Sequence, residues 1–431
     1  MQGILHEFLN VSQLWRNAML ERVFKSEWIV QQLRSGPFAD HIDDFVEGLT
    51  EQGYGLKNLP SRLGPISDFN RWLIAKRYSL EDLDESRIEE FIRYRVKRRP
   101  GSVRAGNIFT VNLLIAHLRD RRCLPPACPL PSENGEIQEL ILSYVQYLRG
   151  ERGLCDSSIE RFSNIARDFL LEVFETGEVC LERVTRRDIL GFITRCGERF
   201  SSRGTQLVAT ALRSLLRFLV TTGAIASELA ECIPSVRGWR AAHLPEFLTD
   251  KEVKQLLRTC DRRTAKGLRN YAMLLIMLRL GLRASEVLHL KLDDIDWRGG
   301  IIAVQGKRGR VETLPLPHDV GEALVAYIRR ARPQCSSRNL FIRIRAPRRE
   351  LNDSRSIGTI VRRALVAAGI NSQSKGAHLL RYTAATRTLR QGAALFEVGD
   401  LLRHRSVDTT ALYAKVDVTR LSEIATPWPT A

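Results

Sequence analysis

Apolar residues recur along almost the whole chain at the spacing of an amphipathic helix, at positions i, i+3 and i+4. The exception is residues 299–317, GGIIAVQGKRGRVETLPLP, in which two β-rich runs flank a turn that contains glycine, lysine and arginine. Such a pattern predicts a β-hairpin. We therefore predict a mainly α, multidomain protein with one small β-hairpin or sheet.

The length of the chain predicts more than one domain. A chain of 431 residues is too long for a single compact core, and two to four domains are expected. Proline-rich stretches at 123–136 and 233–249 mark the joints. The predicted division is a leading helical segment, two helical modules, a linker, a third domain and a tail: residues 1–39, 40–125, 138–226, 227–246, 247–420 and 421–431.

The two helical modules resemble each other at a spacing of 101 residues. The segment SLEDLDESRIEEFI (79–92) matches CLERVTRRDILGFI (180–193), and the same offset pairs apolar residues further along. Two interpretations stay open: two copies of one module, which we prefer, or two bundles that share only generic amphipathic spacing. The matched pairs are Leu80/Leu181, Leu83/Val184, Ile88/Ile189, Phe91/Phe192, Ile92/Ile193, Leu114/Leu215, Leu118/Leu219 and Leu124/Ile225.

The net charge favours a polyanionic partner. Lysine and arginine number 66 against 49 aspartate and glutamate, which leaves a formal charge of +17. Nucleic acid is the commonest partner for such an excess, although charge alone leaves a ribosome-like or membrane-surface protein open.

The cysteines and the apolar segments indicate the cellular compartment of the protein. The eight cysteines form no CxxC pair, and their scatter predicts a reducing, cytoplasmic location. Cys123 and Cys128 have only His117 nearby as a further soft ligand, which is too few for tetrahedral zinc. No export signal is evident at the start, and the longest apolar run, YAMLLIML (271–278), predicts a core helix rather than a membrane span.

Two segments of the third domain place single cations at breaks in the secondary structure. Arg283 follows a Gly-Leu break in LRLGLRASEVLHLKLDDID (278–296), with Glu286 three residues on to hold its guanidinium. Such an arginine is either solvated or aimed at a phosphate. Lys307 lies in the hairpin turn, where a lysine is either surface decoration or a mobile proton donor.

Two later segments carry histidines with an arginine or a tyrosine. His378 and Arg381 are three residues apart and share one helix face, which describes either an ordinary polar face or part of a site. His404 is expected to follow one helix, and Tyr413 to lie in the next, which either Ser406 or Asp408 can cap.

The order and spacing of these side chains together resemble the tyrosine recombinase (phage integrase) family. The segments LGLRASEVLHLKLDDID, HLLRYTAATRTLRQGA and LLRHRSVDTTALYAKV match the catalytic boxes of that family. The resemblance implies an α+β tyrosine-recombinase catalytic domain over 247–420 and a SAM-like core-binding domain over 138–226. Residues 40–125 are then an extra SAM-like helical module.

The resemblance also implies a role for each candidate. Tyr413 would attack the scissile phosphodiester to form a 3′-phosphotyrosine, and His378 would act as an auxiliary acid or base. Arg283 and Arg381 would hold the non-bridging oxygens, with a further hydrogen bond from His404. Lys307 would protonate the departing 5′-oxygen. No metal ion or other cofactor is implied, because cations of the protein would neutralise the phosphate.

This sequence departs from the family at two places. Many relatives have a second histidine after the HxxR arginine and a glycine before the later histidine, where this chain has Tyr382 and Arg403. Neither change removes a catalytic group. We expect Arg403 to add charge beside the DNA and to alter the local backbone geometry.

The implied partner is double-stranded DNA, bound by a homo- or hetero-tetramer with sister recombinases as candidate members and without a membrane. The basic run RYRVKRRPGSVR (93–104) is either a solvated face or an additional DNA contact. Residues after Tyr413 pack either on their own subunit or on a neighbour. Candidate phosphate contacts are Arg203, Arg213, Arg217, Arg237 and Arg240.

The leading functional hypothesis is a site-specific recombinase that serves integration or transposition of a mobile element. A chromosome or plasmid dimer resolvase of the same chemistry is the nearest alternative, although such enzymes usually lack the extra module. A type IB topoisomerase shares the chemistry but suits site-specific work less well. From another class, the protein is a DNA-binding accessory factor that does not cleave.

Overall fold

The computed structural model describes residues 19–98, 105–125, 135–174, 179–225, 228–234, 246–306 and 310–403. The chain divides into two compact units. Unit 1 comprises two separate stretches, Met1–Pro126 and His243–Ala431, and unit 2 is Ala127–Ala242. Within the described residues, no helix is both long and apolar enough to cross a membrane.

The N-terminal stretch of unit 1 is a helical bundle around an aromatic core. Phe38, Phe69 and Phe91 are each at most 1 % exposed, and the rings of Phe69 and Phe91 lie 4.5 Å apart between centroids. The helices are α1 (Met19–Val23), α2 (Glu27–Arg34), α3 (Ala39–Glu51), α4 (Leu59–Lys76), α5 (Glu85–Arg98) and α6 (Ala105–Asp120).

The leading segment does not form a core of its own. Leu20 and Leu33, from α1 and α2, are buried in the same apolar cluster as Ile42 and Leu63. The residues predicted as a separate stretch over 1–39 therefore contribute, from Met19 on, to the core of the module that follows. An arginine supports this junction, because Arg34 donates hydrogen bonds to Glu21 and Asp43.

The C-terminal stretch of unit 1 packs its helices around α13, whose apolar residues are almost all buried, as YAMLLIML predicted. Side-chain caps fix the helix starts: Thr249 and Glu252 form a capping box on α12, and Asp353 accepts from the Ser356 amide on α16. The helices are α12 (Asp250–Arg258), α13 (Ala265–Leu280), α14 (Ala284–His289), α15 (His318–Arg330), α16 (Ser354–Ala367), α17 (Ala377–Arg390) and α18 (Leu395–Leu402).

The predicted hairpin is confirmed as two strands of a small antiparallel sheet. Strands β1 (Ile295–Asp296), β2 (Ile301–Gln305) and β3 (Val311–Pro315) lie in that order, and Ile302 of β2 pairs with Leu314 of β3. Alternate side chains of β2 are buried, as expected for a sheet with one face on the core.

The two stretches of unit 1 touch at a turn after α3. The Arg348 amide donates to the Gln52 carbonyl over 2.8 Å, and Ala346 packs against the N-terminal apolar core. The bundle at the start of the chain is therefore held by a segment some 300 residues further on.

Unit 2 is a second helical bundle. Its core contains Tyr144, Phe169 and Leu212, each fully buried. A capping box formed by Thr185 and Asp188 begins α9. The helices are α7 (Gly135–Gly150), α8 (Asp156–Val173), α9 (Arg186–Arg199), α10 (Ser202–Thr221) and the short α11 (Glu228–Glu231).

Helices α3–α6 and α7–α10 follow the same order with similar lengths. Residues at the 101-residue spacing are buried in both bundles, as in the pairs Leu83/Val184 and Leu118/Leu219. Common burial at matched positions is what two copies of one module require. The duplication itself stays a prediction.

Candidate active site

A sharp turn between α13 and α14 positions Arg283. Gly281 ends α13 in the left-handed region, with φ of 57°, and the buried Leu282 follows it. Arg283 then serves as the N-cap residue of α14, with its side chain 36 % exposed. The turn therefore fixes the backbone of Arg283 while part of its guanidinium stays accessible.

Gly281 is required for two reasons. A positive φ disfavours any residue with a Cβ, and a Cβ built here would lie 2.5 Å from Cδ2 of Leu402. The turn that presents Arg283 thus lies directly against the end of α18.

We expect Gly281→Ala to lower the free energy of unfolding by about 2 kcal/mol or more, from the left-handed backbone and the clash together. Gly369→Ala is the matched control, because Gly369 has φ of 66° and a Cβ placed on it would meet no atom within 4 Å. That control should lose only the backbone contribution, about 1–2 kcal/mol. Equal losses in denaturant unfolding would contradict a close Gly281–Leu402 contact.

Glu286 is a buried carboxylate shared by two arginines. Its Oε1 accepts from Arg283 Nη1 at 2.7 Å, and its Oε2 accepts from the Arg283 amide at 2.8 Å. Oε2 also accepts from Arg403 Nη2 at 2.7 Å. The side chains of Glu286 and Arg403 are 3 % and 4 % exposed.

The charge state of Glu286 follows from this arrangement. Burial raises the pKa of the carboxyl, but Arg403 and the hydrogen bonds from Arg283 outweigh burial and hold the pKa below its ordinary value. Glu286 is therefore an anion at neutral pH, flanked by two cations.

Arg381 joins the two ends of the site. Its side chain projects from α17 and is buried, Nη1 donates to the Gly281 carbonyl at 2.5 Å, and Nη2 donates to the Leu402 carbonyl. The first arginine segment, the HxxR helix and the end of α18 are thus brought together, as the predicted set requires.

His378 lies one turn before Arg381, near the start of α17, and is exposed. Its ring and that of Tyr382 have centroids 6.3 Å apart, with planes inclined by 34°. Tyr382, at the place where many relatives have a second histidine, is therefore a neighbour of the predicted acid or base.

Three predicted site residues, Lys307, His404 and Tyr413, lie outside the described residues. The described residues on either side of the first of them are joined, since the Gly306 amide donates to the Arg310 carbonyl at 2.7 Å. His404 directly follows Arg403 in the sequence. The roles assigned to all six candidates stay predictions.

Arg403 was expected to add charge beside the DNA, which is wrong, and to alter the local backbone, which left out its buried partner. Its side chain does not face outward but is turned inward to Glu286, so it is not placed to add charge directly beside DNA. Its backbone adopts the left-handed conformation that favours glycine, with φ of 55°. The signal for this pairing was an arginine at a glycine position together with a glutamate at the first arginine segment.

Comparisons with known proteins show the family of the chain. Residues 246–420 match the family model described as Phage integrase family. Over 394 residues, 91 % of this chain and 95 % of the relative, the sequence is 39 % identical to a protein named integrase/recombinase y4rA from Sinorhizobium fredii (strain NBRC 101917 / NGR234). The chain belongs to the phage integrase family. It is a tyrosine recombinase, an enzyme that cleaves and rejoins DNA, and the predicted resemblance to this family is confirmed.

Other tyrosine recombinases match over less of the chain. Tyrosine recombinase XerD of Listeria monocytogenes serotype 4b (strain F2365) is 29 % identical over 294 residues, 67 % of this chain and 97 % of the relative. A solved XerH site-specific recombinase, bound to a palindromic difH substrate, aligns with a TM-score of 0.53 and 21 % identity over 81 % of this chain and 99 % of that one. The predicted fold class, mainly α with a small sheet in the catalytic part, is confirmed.

The arginines that were predicted to contact phosphates differ in how they are held in this tyrosine recombinase. Arg203 and Arg217 of α10 are exposed. Arg213 instead donates to the carbonyls of Ile233 and Pro234, which assigns it a structural contact. Arg237 and Arg240 lie outside the described residues.

Proposed function

We propose that this tyrosine recombinase performs site-specific recombination of a mobile element, by integration or transposition, through a 3′-phosphotyrosine on Tyr413. The observation that carries the proposal is the contact of Arg381 with the turn that presents Arg283. The Arg381 guanidinium binds the backbone two residues before Arg283, which supports a joint role for the two arginines in binding the non-bridging oxygens of one phosphate.

The protein's own cations neutralise the negative charge of the phosphate during the reaction. Attack by the phenol on phosphorus forms the phosphotyrosine and breaks the bond to the 5′-oxygen. Arg283 and Arg381 neutralise charge on the pentacoordinate transition state, and His378, as the auxiliary acid or base, takes the proton that the phenol loses. Lys307 gives the leaving 5′-oxygen its proton, and His404 adds a hydrogen bond to the phosphate.

The proposed partner is double-stranded DNA in a tetrameric assembly. The positive charge of the chain supports a polyanionic ligand. The XerH neighbour is bound to its substrate, and a lambda integrase tetramer on a Holliday junction aligns with a TM-score of 0.51 and 15 % identity. These likenesses support the fold needed for such an assembly.

The share of this chain that each relative matches favours the mobile-element role over dimer resolution. The integrase/recombinase y4rA matches 91 % of this chain, whereas the XerD recombinases match 65–67 %. The extra helical module of residues 40–125, which we propose to be a SAM-like copy of the 138–226 core-binding module, therefore accompanies the relatives y4rA and y4rF, which match 91 % and 96 % of this chain.

The test is a search for the covalent intermediate. Purified protein is incubated with nicked suicide duplexes from both flanks of its own gene, with EDTA present, and products are run on a denaturing gel. We expect an adduct with a free 5′-hydroxyl on the released strand. Peptide mapping by mass spectrometry should place the nucleotide on the peptide that contains Tyr413.

The outcomes separate the alternatives. Binding without an adduct on any flanking duplex would contradict the proposal and favour a non-cleaving accessory factor. An adduct on a chromosome or plasmid dimer-resolution site, but not on the flanks, would favour a resolvase. An adduct that forms with little dependence on DNA sequence would favour a topoisomerase.

A further inference from the structure

Arg403 occupies a backbone position that ordinarily favours glycine. It ends α18 with φ of 55° and ψ of 49°, and a side chain at such a position is strained. Its guanidinium is nevertheless buried, with 4 % of the side chain exposed. A buried arginine on a strained backbone must make interactions that compensate for both.

Two hydrogen bonds hold this guanidinium, while its buried Nε has no hydrogen-bond partner in the described part of the chain. Arg403 Nη2 donates to Glu286 Oε2 at 2.7 Å, and Nη1 donates to the Leu401 carbonyl at 2.8 Å. Glu286 in turn holds both the guanidinium and the amide of Arg283. The carboxylate therefore links Arg283 to a residue 117 positions away from Glu286 in the sequence.

The charges of Arg283, Glu286 and Arg403 explain what the second arginine contributes. Glu286 with Arg283 alone is a neutral pair, which would weaken the attraction of Arg283 for a phosphate. Addition of Arg403 gives two cations and one anion, so Arg403 shares the carboxylate of Glu286 with Arg283 and leaves the group of three with a net positive charge. A buried carboxylate with two partners is also less free to turn away.

The same contacts fix the chain that leads into His404. Arg381 holds the Leu402 carbonyl, and Arg403 is held through its side chain by Glu286. Two consecutive residues before His404 are therefore anchored to the segments that carry Arg381 and Arg283.

From this arrangement we infer that Arg403 is a positioning residue for DNA cleavage: it holds the second oxygen of Glu286 and thereby sets Arg283 and the chain entering His404. The inference rests on the proposed function. Arg403 acts through Glu286 and needs no contact with the DNA.

The experiment is a double-mutant cycle with Arg403→Gly and Glu286→Gln. Glycine suits the left-handed backbone, so the variant should fold, and Arg403→Lys restores the charge on a residue of similar length. The control is Arg279→Met, which removes an exposed ion pair with Asp319 on the same domain. Two quantities are measured: the rate of adduct formation at saturating suicide substrate, and the Kd for the same duplex.

We expect Arg403→Gly to slow adduct formation by about tenfold to a hundredfold, with the Kd changed by less than about twofold. Arg403→Lys should recover part of the rate, and Arg279→Met should leave it unchanged. In the Glu286→Gln background, Arg403→Gly should slow the reaction much less than in the wild type. Independent, multiplicative effects, or a wild-type rate in Arg403→Gly, would overturn the inference.

Denaturant unfolding tests the contact between Arg403 and Glu286 without any need for cleavage. It is measured for the wild type, the two single variants and the double variant. Coupling between Arg403 and Glu286 in unfolding confirms their contact whether or not the enzyme cleaves. If that coupling is absent, the contact and the inference both fail. If coupling is present but the wild type cleaves no flanking duplex, the proposed function fails, and the role in cleavage falls with it.

Discussion

Tyr413→Phe is expected to abolish the covalent protein–DNA adduct and to leave DNA affinity within about twofold of the wild type. Phenylalanine keeps the size of the ring but has no oxygen to attack phosphorus, so the first chemical step has no nucleophile. Gel detection of the adduct and fluorescence anisotropy on the same suicide duplex would measure the two quantities.

Tyr382 provides a matched control for this experiment. It is the tyrosine whose ring lies beside that of His378, so it is the rival nucleophile nearest to the predicted acid or base in the described part of the chain. We expect Tyr382→Phe to form the adduct within about tenfold of the wild-type rate. Loss of the adduct in Tyr382→Phe, with retention in Tyr413→Phe, would reverse the assignment of the nucleophile.

Arg381→Ala should produce the second large effect, a fall in cleavage rate of about 10³-fold or more, which corresponds to about 4 kcal/mol of transition-state stabilisation. The reason is twofold. The variant lacks a cation for the phosphate, and it leaves the carbonyls of Gly281 and Leu402 without their charged donor. Loss of these two bonds should also lower the free energy of unfolding by about 3 kcal/mol or more.

A second variant separates catalysis from folding at this position. Arg381→Lys keeps the positive charge but lacks the planar fork that bonds two carbonyls at once, so it should fold better than Arg381→Ala and still cleave poorly. Arg387→Ala serves as the control on the same helix, where Arg387 pairs with Asp250. Cleavage by Arg381→Lys at the wild-type rate would show that the planar guanidinium of Arg381 is not needed for cleavage.

Local patterns in the sequence predicted the elements that local physics determines. Helical spacing of apolar residues predicted α13, whose run at 271–278 is the centre of the catalytic core. The β-rich runs around Lys307 predicted the strands β2 and β3. The arginine at the Gly281 break was correctly expected to be held by Glu286, because a capping interaction spans only three residues.

Long-range pairing was not predictable from such patterns. The partner of Glu286 on its other side, Arg403, comes from the end of α18, and an arginine at a glycine position marks Arg403 as unusual without indicating which residue it contacts. The same limit applies to the first helices, whose burial with residues 40–125 depends on tertiary packing of short segments. Periodicity assigns a residue to a buried face but does not say which core receives it.

Unit 2 is inserted in the sequence of unit 1, because both neighbouring stretches of chain belong to unit 1 and meet where the Arg348 amide binds the Gln52 carbonyl. Its two ends are therefore both tethered to unit 1, and we expect the contact of Gln52 with Arg348 to keep the fragments together after a single break of the chain on either side. Two breaks would be needed to release it. Limited proteolysis under native conditions should accordingly yield nicked protein that still migrates as one particle on size exclusion, and separate fragments only after denaturation.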